Sequence, residues 1–204
     1  MYYRAIKRRA LVIFRKFRFK NQGIQFASPN FIFFRPENDK RLTVIDVDCG
    51  SLAEFSIHLI DRYGAICFGV DPTEKHKPVL TDLVRKHKDH FIHVPYAICA
   101  KNGTLNFFES KVNESGSIMS DHINVVYDEG LSYPIKCLTP KSLLDHLRLD
   151  SADILKLDIE GAEYELLEIL GLNELLQFKQ IFIEASRGRE LHILRYDESC
   201  RTSV

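Results

Sequence analysis

The stretch DILKLDIEGAEYELLEIL, Asp153 to Leu170, decides the fold of this chain. Its apolar run, Ile154 to Leu157, has the length of a buried strand and stops at Asp158. Glu160 and Gly161 then lead into residues with the apolar spacing of a helix. A strand that feeds directly into a helix is the unit of a parallel sheet, and ligands bind at the carboxyl ends of such strands. We therefore predict that Asp158 stands at a ligand site.

Polar side chains gather around this strand end. Lys156 and Asp158 share one face of the strand, and a lysine in a buried strand needs a carboxylate partner or water. Glu160 and Glu163 fall in the first turn of the helix, where the helix dipole favours acidic residues. Two interpretations stay open: a structural ion pair beside helix-start carboxylates, or a cluster in which Asp158 or Glu160 is an acid, a base or a substrate anchor. We predict no metal, because helix-start carboxylates commonly occur without one.

Composition indicates one main domain that is kept in a reducing compartment. At 204 residues, with 45% hydrophobic and 27% charged residues, the chain is long enough for one good core. The cysteines are scattered and form no CxxC pair, which argues against a disulfide scaffold or a zinc site. They are Cys49, Cys67, Cys99, Cys137 and Cys200. We therefore expect a cytoplasmic protein.

The charge is distributed unevenly along the chain. Nine of the 28 basic residues and none of the 28 acidic residues precede Glu37, so residues 1–40 are predicted to be a basic helix and linker before a domain at 41–204. The longest apolar run of the leader, Ala10 to Phe14, is too short to span a bilayer. The leader is predicted either to lie on an anionic membrane surface, at the periphery of the membrane, or to cover an edge of the domain. No specific nucleic-acid partner is expected, because no recognised nucleic-acid module accompanies it.

The start of the domain has the outline of a nucleotide-binding fold. Leu42 to Val47 predicts a strand, a loop containing Gly50 follows, and Phe55 to Tyr63 predicts a helix. The next strand is closed by Asp71, which lies 21 residues after Gly50. This is close to the ~20 residues expected for an acidic residue that binds ribose hydroxyls. The alternative is that Asp71 simply ends a strand before a turn.

The remaining pattern alternates strands and helices, which predicts a doubly wound, mostly parallel α/β sheet with a small antiparallel insertion. Strand 135–138 is expected to pair with strand 105–108, and the polar region 110–132 is expected to form a lid or substrate loop. No G-x-G-x-x-G stands in the first loop, which argues against a nicotinamide-dependent enzyme. The other predicted elements are helix 79–88, strand 91–99 with a bend at Pro95, helix 143–147 and strand 179–185.

Four pieces of the chain resemble the FkbM-type family of S-adenosylmethionine-dependent methyltransferases. They are VIDVDCGSLAEFS (Val44 to Ser56), FGVDPT (Phe68 to Thr73), DILKLDIEGAEYELL (Asp153 to Leu167) and the weaker IFIE (Ile181 to Glu184). The DxEGAE element is the specific one. The resemblance implies a Rossmann-like methyltransferase sheet, S-adenosyl-L-methionine as cofactor, and methylation of a hydroxyl oxygen on a small molecule or sugar.

The resemblance also implies roles for individual residues. Asp46 and Gly50 would shape the loop around the methionine and ribose parts of the cofactor, and Asp48 would meet its cationic groups. Asp71 would hold the ribose hydroxyls, and Tyr96-Ala97 would lie near the adenine. Asp158 and Glu160 would face the methyl-transfer site with Lys156 beneath them, and a carboxylate would take the hydroxyl proton.

The chain also departs from the family pattern. Asp48 and Leu52 stand where the family has glycine, and Ala185-Ser186 stand where it often has histidine. Only 18 residues follow Ser186, so the sheet is expected to lack the C-terminal hairpin. The alternative function is therefore a truncated or degenerate member that acts as a binding or structural module without efficient catalysis.

Overall fold

The computed structural model describes residues 24–26, 32–34, 41–112, 116–118, 130–159, 166, 170–185 and 190–195. The chain divides into two compact units, residues 1–40 and 41–204. In the first unit, strand β1 (Ile24–Phe26) pairs antiparallel with β2 (Ile32–Phe34). The predicted basic helix at 1–20, and Glu160 and Glu163, lie outside the described residues, so what was expected of them stays a prediction.

The second unit alternates strands and helices, as the pattern predicts. In chain order its described elements are β3 (Thr43–Val47), α1 (Glu54–Tyr63), β4 (Ile66–Val70), α2 (Lys77–Lys86), β5 (Phe91–Val94), β6 (Ala97–Ile98), β7 (Gly103–Glu109), β8 (Gly116–Ser117), β9 (Leu131–Leu138), α3 (Pro140–Leu147), β10 (Ala152–Leu157), α4 (Leu172–Leu175), β11 (Phe178–Ala185) and β12 (Glu190–Arg195).

Six strands form the central sheet, in the order β12-β11-β10-β3-β4-β5. All neighbours are parallel except β12, which runs antiparallel to β11. From β3 the chain winds outward through β4 to β5, and it later returns to β10 on the other side of β3. The direction of winding therefore reverses between β3 and β10, which is where such sheets bind ligands. The prediction of an α/β fold with a mostly parallel sheet is confirmed.

The central strands are apolar along most of their length because the sheet is covered on both faces. Val44, Ile45, Ile154 and Leu155 are each at most 1% exposed. One cluster of buried side chains joins β3, β4, β10 and β11 to Leu143 and Leu144 of α3. The core therefore holds the strand ends of β3 and β10 in fixed positions.

Local signals set the helix ends. Helix α3 begins at Pro140, whose ring suits a first helical position, and the Thr139 side chain accepts a hydrogen bond from the Ser142 amide. Helix α1 ends at Gly64, which has φ 61° and donates its N–H to the Ile60 carbonyl. Helix α2 starts at Lys77, two residues before the predicted start. None of the helices in the described part of the chain combines the length and the apolar character needed to cross a membrane.

A second sheet of four strands has the order β6-β9-β7-β8. Strand β7 pairs antiparallel with β9, and Leu105 lies opposite Ile135. Strand β8 lies inside the region predicted to be a loop, and it pairs with β7 through Ser117 and Gly116. Residues 119–129 and 196–204 are not described, so the lid and the missing C-terminal hairpin stay predictions.

The scattered cysteines argued against a disulfide scaffold, yet one pair forms a disulfide bond. Cys99 and Cys137 are joined. Strand β6 runs parallel to β9, and Ala97 lies opposite Cys137. Cys99, which directly follows β6, can therefore reach the sulfur of Cys137. The sequence gives no local signal for this disulfide, because the two cysteines are 38 positions apart. Cys49 and Cys67 are buried free thiols.

Candidate functional site

A buried lysine connects β10 to β3 at the point where the winding reverses. Lys156 lies opposite Asp46 in the sheet register. Its Nζ lies 3.2 Å from Oδ1 of Asp46 and 3.5 Å from Oδ2 of Asp158, and it donates to the carbonyl oxygen of Asp48 at 3.4 Å. The structure thus brings four of the predicted site residues together, and the lysine has the carboxylate partners that its burial requires.

These carboxylates control the charge of the lysine. Burial alone would lower the pKa of Lys156, but the carboxylates of Asp46, Asp158 and Asp48 outweigh burial and raise the pKa above its usual value. Lys156 is therefore a permanent cation near neutral pH. It orients carboxylates and does not accept a proton.

Asp46 lies below the site. Its side chain is fully buried. One carboxylate oxygen faces Lys156, and the other accepts a hydrogen bond from the Ser56 hydroxyl of α1 at 2.7 Å. Asp46 therefore ties α1 to the central strands, and it stabilises the loop between β3 and α1 from beneath.

Asp158 directly follows β10, and, like Asp48, it is a carboxylate of this cluster that is only partly buried. Its side chain is 30% exposed. Burial of the rest of the group raises the pKa of Asp158, and the nearby Lys156 cation opposes that rise. A raised pKa makes a partly exposed carboxylate a better proton acceptor.

The loop from Asp48 to Ala53 turns sharply through left-handed backbone positions. Asp48 has φ 54°, Gly50 has φ 66° and Ala53 has φ 44°. The Asp48 amide donates to the Val70 carbonyl at 2.8 Å, which holds the loop against the end of β4. Aspartate tolerates the left-handed region better than most residues, so Asp48 takes the backbone conformation that glycine would take. Leu52 is 63% exposed and does not line the cleft described below.

Asp71 is fully buried, and both of its oxygens have partners within the protein. Its Oδ2 accepts the Gly50 amide at 3.0 Å and lies 3.0 Å from His76 Nδ1, while Oδ1 accepts the Thr73 amide at 2.9 Å. Burial would raise the pKa of Asp71, but the contacts with His76 and Thr73 lower it below its usual range. Asp71 thus ties two loops together, while its predicted contact with ribose hydroxyls stays a prediction. Sequence reasoning did not identify His76.

A cleft of about 380 Å³, including the space at its mouth, lies at the carboxyl ends of β3 and β4. Among the predicted cofactor residues, Asp48 and Ala97 line it, whereas Asp46, Gly50 and Asp71 support it without lining it. The lining is mostly apolar. It comprises Val47, Asp48, Val70, Pro72, Tyr96, Ala97, Ile98, Phe107, Gly116, Ser117, Ile118 and Ile159.

One wall of this cleft comes from the second sheet, and sequence reasoning missed it. Phe107 of β7, Gly116 and Ser117 of β8, and the following Ile118 contribute to the lining. A Cβ atom at Gly116 would collide with the Phe107 ring, so the glycine allows β8 to approach the cleft. Gly116 was the one usable signal, because a glycine inside a strand often marks a close approach.

No group of three histidine, cysteine, aspartate or glutamate residues with the arrangement of a metal site occurs within the described ranges. Asp158 therefore belongs to no such group among the described residues. Glu160 and Glu163 lie outside these ranges, so the expectation of no metal stays a prediction.

A family model for the FkbM methyltransferase domain matches residues 50–201, most of the chain. The chain belongs to the FkbM methyltransferase family. The matched region includes Asp71, Lys156, Asp158 and most of the cleft lining, whereas Asp46 and Asp48 lie just before it. Comparison with curated proteins and comparison with solved structures each gave no match.

Proposed function

We propose that this FkbM methyltransferase transfers a methyl group from S-adenosyl-L-methionine to a hydroxyl oxygen of a small molecule or sugar. The observation that carries the proposal is the arrangement at the strand ends. An apolar cleft contains one carboxylate, Asp48, and Ile159, whose chain neighbour Asp158 is partly exposed and contacts the buried cation of Lys156.

The chemistry of the cleft fits this methyl donor. No basic side chain is present in the described lining, so a ligand with phosphate groups would lack charge partners there. Apolar residues such as Tyr96, Ala97 and Ile98 suit a flat, neutral adenine. Asp48 suits the cationic end of the donor. When bound, the donor supplies an electrophilic methyl group.

The residues of the chain would then align the acceptor and receive its proton. Asp158 accepts the hydroxyl proton at a carboxylate oxygen, and its raised pKa makes that transfer easier near neutral pH. Lys156 holds the carboxylate in place, which fixes the direction from which the acceptor is deprotonated. Glu160 is proposed to face the same site.

Asp71 is proposed to act through Gly50. Its contact with the Gly50 amide holds the loop beside Asp48, and its full burial places its oxygens out of direct reach of ribose hydroxyls in this conformation. The full engagement of Asp71 also favours the second candidate, a methyltransferase fold that serves as a binding or structural module without efficient catalysis. For the leader, eight bases within residues 1–20 support contact with an anionic membrane surface at the cytoplasmic face.

Calorimetric titration with S-adenosylhomocysteine, the demethylated product, tests the proposal without knowledge of the acceptor. We expect one-to-one binding in the micromolar range, and no binding of the dinucleotide NAD under the same conditions. Asp158→Asn should keep this affinity and lose methyl transfer in an acceptor screen. A folded chain that does not bind S-adenosylhomocysteine would overturn the proposal and support the module.

A further inference from the structure

The loop that follows β4 is attached to the second sheet by hydrogen bonds that the sequence did not indicate. The Glu74 amide donates to the hydroxyl of Tyr133, a residue of β9, at 3.0 Å. Two residues earlier in the same loop, Pro72 lines the cleft. Lys75 donates from Nζ to the Ser110 carbonyl at 2.8 Å, which adds a second attachment just beyond β7.

A buried carboxylate orients the tyrosine. The Tyr133 hydroxyl donates to Oε2 of Glu109, on β7, at 2.5 Å, and Glu109 is 4% exposed. Burial and the bond to Glu109 raise the pKa of Tyr133 above its usual value, so the phenol stays protonated. A hydrogen bond to a charged acceptor is short and strong, and it makes the tyrosine oxygen a better acceptor for the Glu74 amide.

The same sheet also supplies a wall of the cleft directly. Phe107 lies opposite Tyr133 in the register of β7 and β9, and their ring centroids are 5.8 Å apart. Phe107 lines the cleft. The second sheet therefore contributes Phe107 to the lining and, through Tyr133, attaches to the loop that contributes Pro72.

We propose that Tyr133 and Glu109 are positioning residues for the methyl donor, which hold the Pro72 loop at a fixed distance from Phe107 and so set the width of the cleft. Neither residue lines the cleft, so each acts through the loop and the sheet. The identity of the ligand as the methyl donor rests on the proposed function. The attachment of the loop to the second sheet does not.

The first arm of the test needs no ligand. In Tyr133→Phe, hydrogen exchange at the Glu74 amide, followed by NMR, should accelerate, and amide shifts of the cleft residues Val47 and Ile118 should change. Tyr63→Phe on α1 is the matched control and should leave all three unchanged. Unaltered exchange at Glu74, or unaltered cleft shifts, in Tyr133→Phe would overturn the positioning role.

The second arm measures S-adenosylhomocysteine affinity by calorimetry together with the thermal midpoint of each variant. Tyr133→Phe should weaken binding on the order of tenfold, the usual size for losing a bond within a charged network. Glu109→Gln keeps an acceptor for the hydroxyl and should retain more affinity than Tyr133→Phe, a rescue that a merely structural loss would not show. Equal affinity in wild type and Tyr133→Phe would overturn the inference. If the wild type itself does not bind, the proposed function fails, and the ligand-free arm alone decides the positioning role.

Discussion

Nζ of Lys156 lies 3.2 Å from Oδ1 of Asp46, across the pairing of β10 with β3. Both side chains are buried, and the two residues are far apart in the sequence. The pair lies where the winding of the described sheet reverses direction. Since Lys156 also contacts Asp158, the same cation pairs with one buried carboxylate and one partly exposed carboxylate.

Removing the lysine should destabilise the fold strongly. Lys156→Met leaves the buried Asp46 carboxylate without its cation, and breaking a buried ion pair costs about 3–5 kcal/mol. Lys179→Met is the matched control, because Lys179 is 67% exposed where it pairs with Asp153 on the neighbouring strand, and such pairs contribute about 0–1 kcal/mol. Urea denaturation of both variants measures the difference, and equal free energies of unfolding would contradict the structural importance of the pair.

Asp71→Asn should flatten the acid side of the stability profile. The pKa of Asp71 is lowered from 3.8 in the folded protein, so below neutral pH the unfolded state binds more protons at this site. The contribution of the Asp71 carboxylate to the free energy of unfolding is present above the unfolded-state pKa. It is lost as the pH falls through the folded-state pKa. Urea denaturation at several pH values between 3 and 6 should therefore show a smaller loss of stability on acidification in the variant. A profile parallel to that of the wild type would rule out the internal contacts described for Asp71.

Asp158→Asn should change the pH dependence of stability in the opposite direction to Asp71→Asn. The pKa of Asp158 is raised from 3.8, so its ionisation on folding is unfavourable and stability falls as pH rises from the unfolded pKa through the folded pKa. The asparagine variant lacks this loss, and at neutral pH it should be at least as stable as the wild type. A clear drop in the free energy of unfolding at neutral pH would show that the charge of Asp158 is structural rather than held for chemistry.

Gly69→Ala should strain the centre of β4. A Cβ atom there would lie 2.6 Å from Cζ of Phe91 and 3.0 Å from Sγ of Cys49, so a ring on the adjacent strand must move. Overpacking of this kind costs about 1–3 kcal/mol. Gly103→Ala is the control, because nothing lies within 4 Å of the corresponding position in β7. Thermal unfolding should give a lower midpoint for Gly69→Ala than for Gly103→Ala. Equal midpoints would contradict the close packing of Gly69 against Phe91.

Local pattern was sufficient for most of the secondary structure. The apolar run before Asp158 is a strand, and the segments around Val44, Phe68 and Phe182 are strands of the same sheet. Their periodicity and length are properties of a few neighbouring residues, so they can be read from one sequence. The strand β8 was missed because two residues, Gly116 and Ser117, carry no periodicity of their own.

The composition of the site was only partly predictable. A buried lysine in a strand requires an acidic partner, but nothing local identifies that partner as Asp46 rather than another carboxylate. The spacing from Gly50 to Asp71 was noticed, yet the spacing cannot show that the carboxylate binds the Gly50 amide and His76 inside the protein. The cleft wall at Phe107 depends on how a separate sheet packs, and no spacing encodes that.

By itself, the sequence determined the alternation of strands and helices, the resemblance of the Asp153 to Leu167 segment to the FkbM family, and the placement of Asp158 at a strand end. Only the tertiary structure decided that Lys156 faces Asp46, that Cys99 joins Cys137, and that Tyr133 holds the loop of Pro72. The reason is physical. Periodicity and helix ends depend on neighbours along the chain, whereas strand register and sheet packing depend on contacts between residues that are distant in sequence.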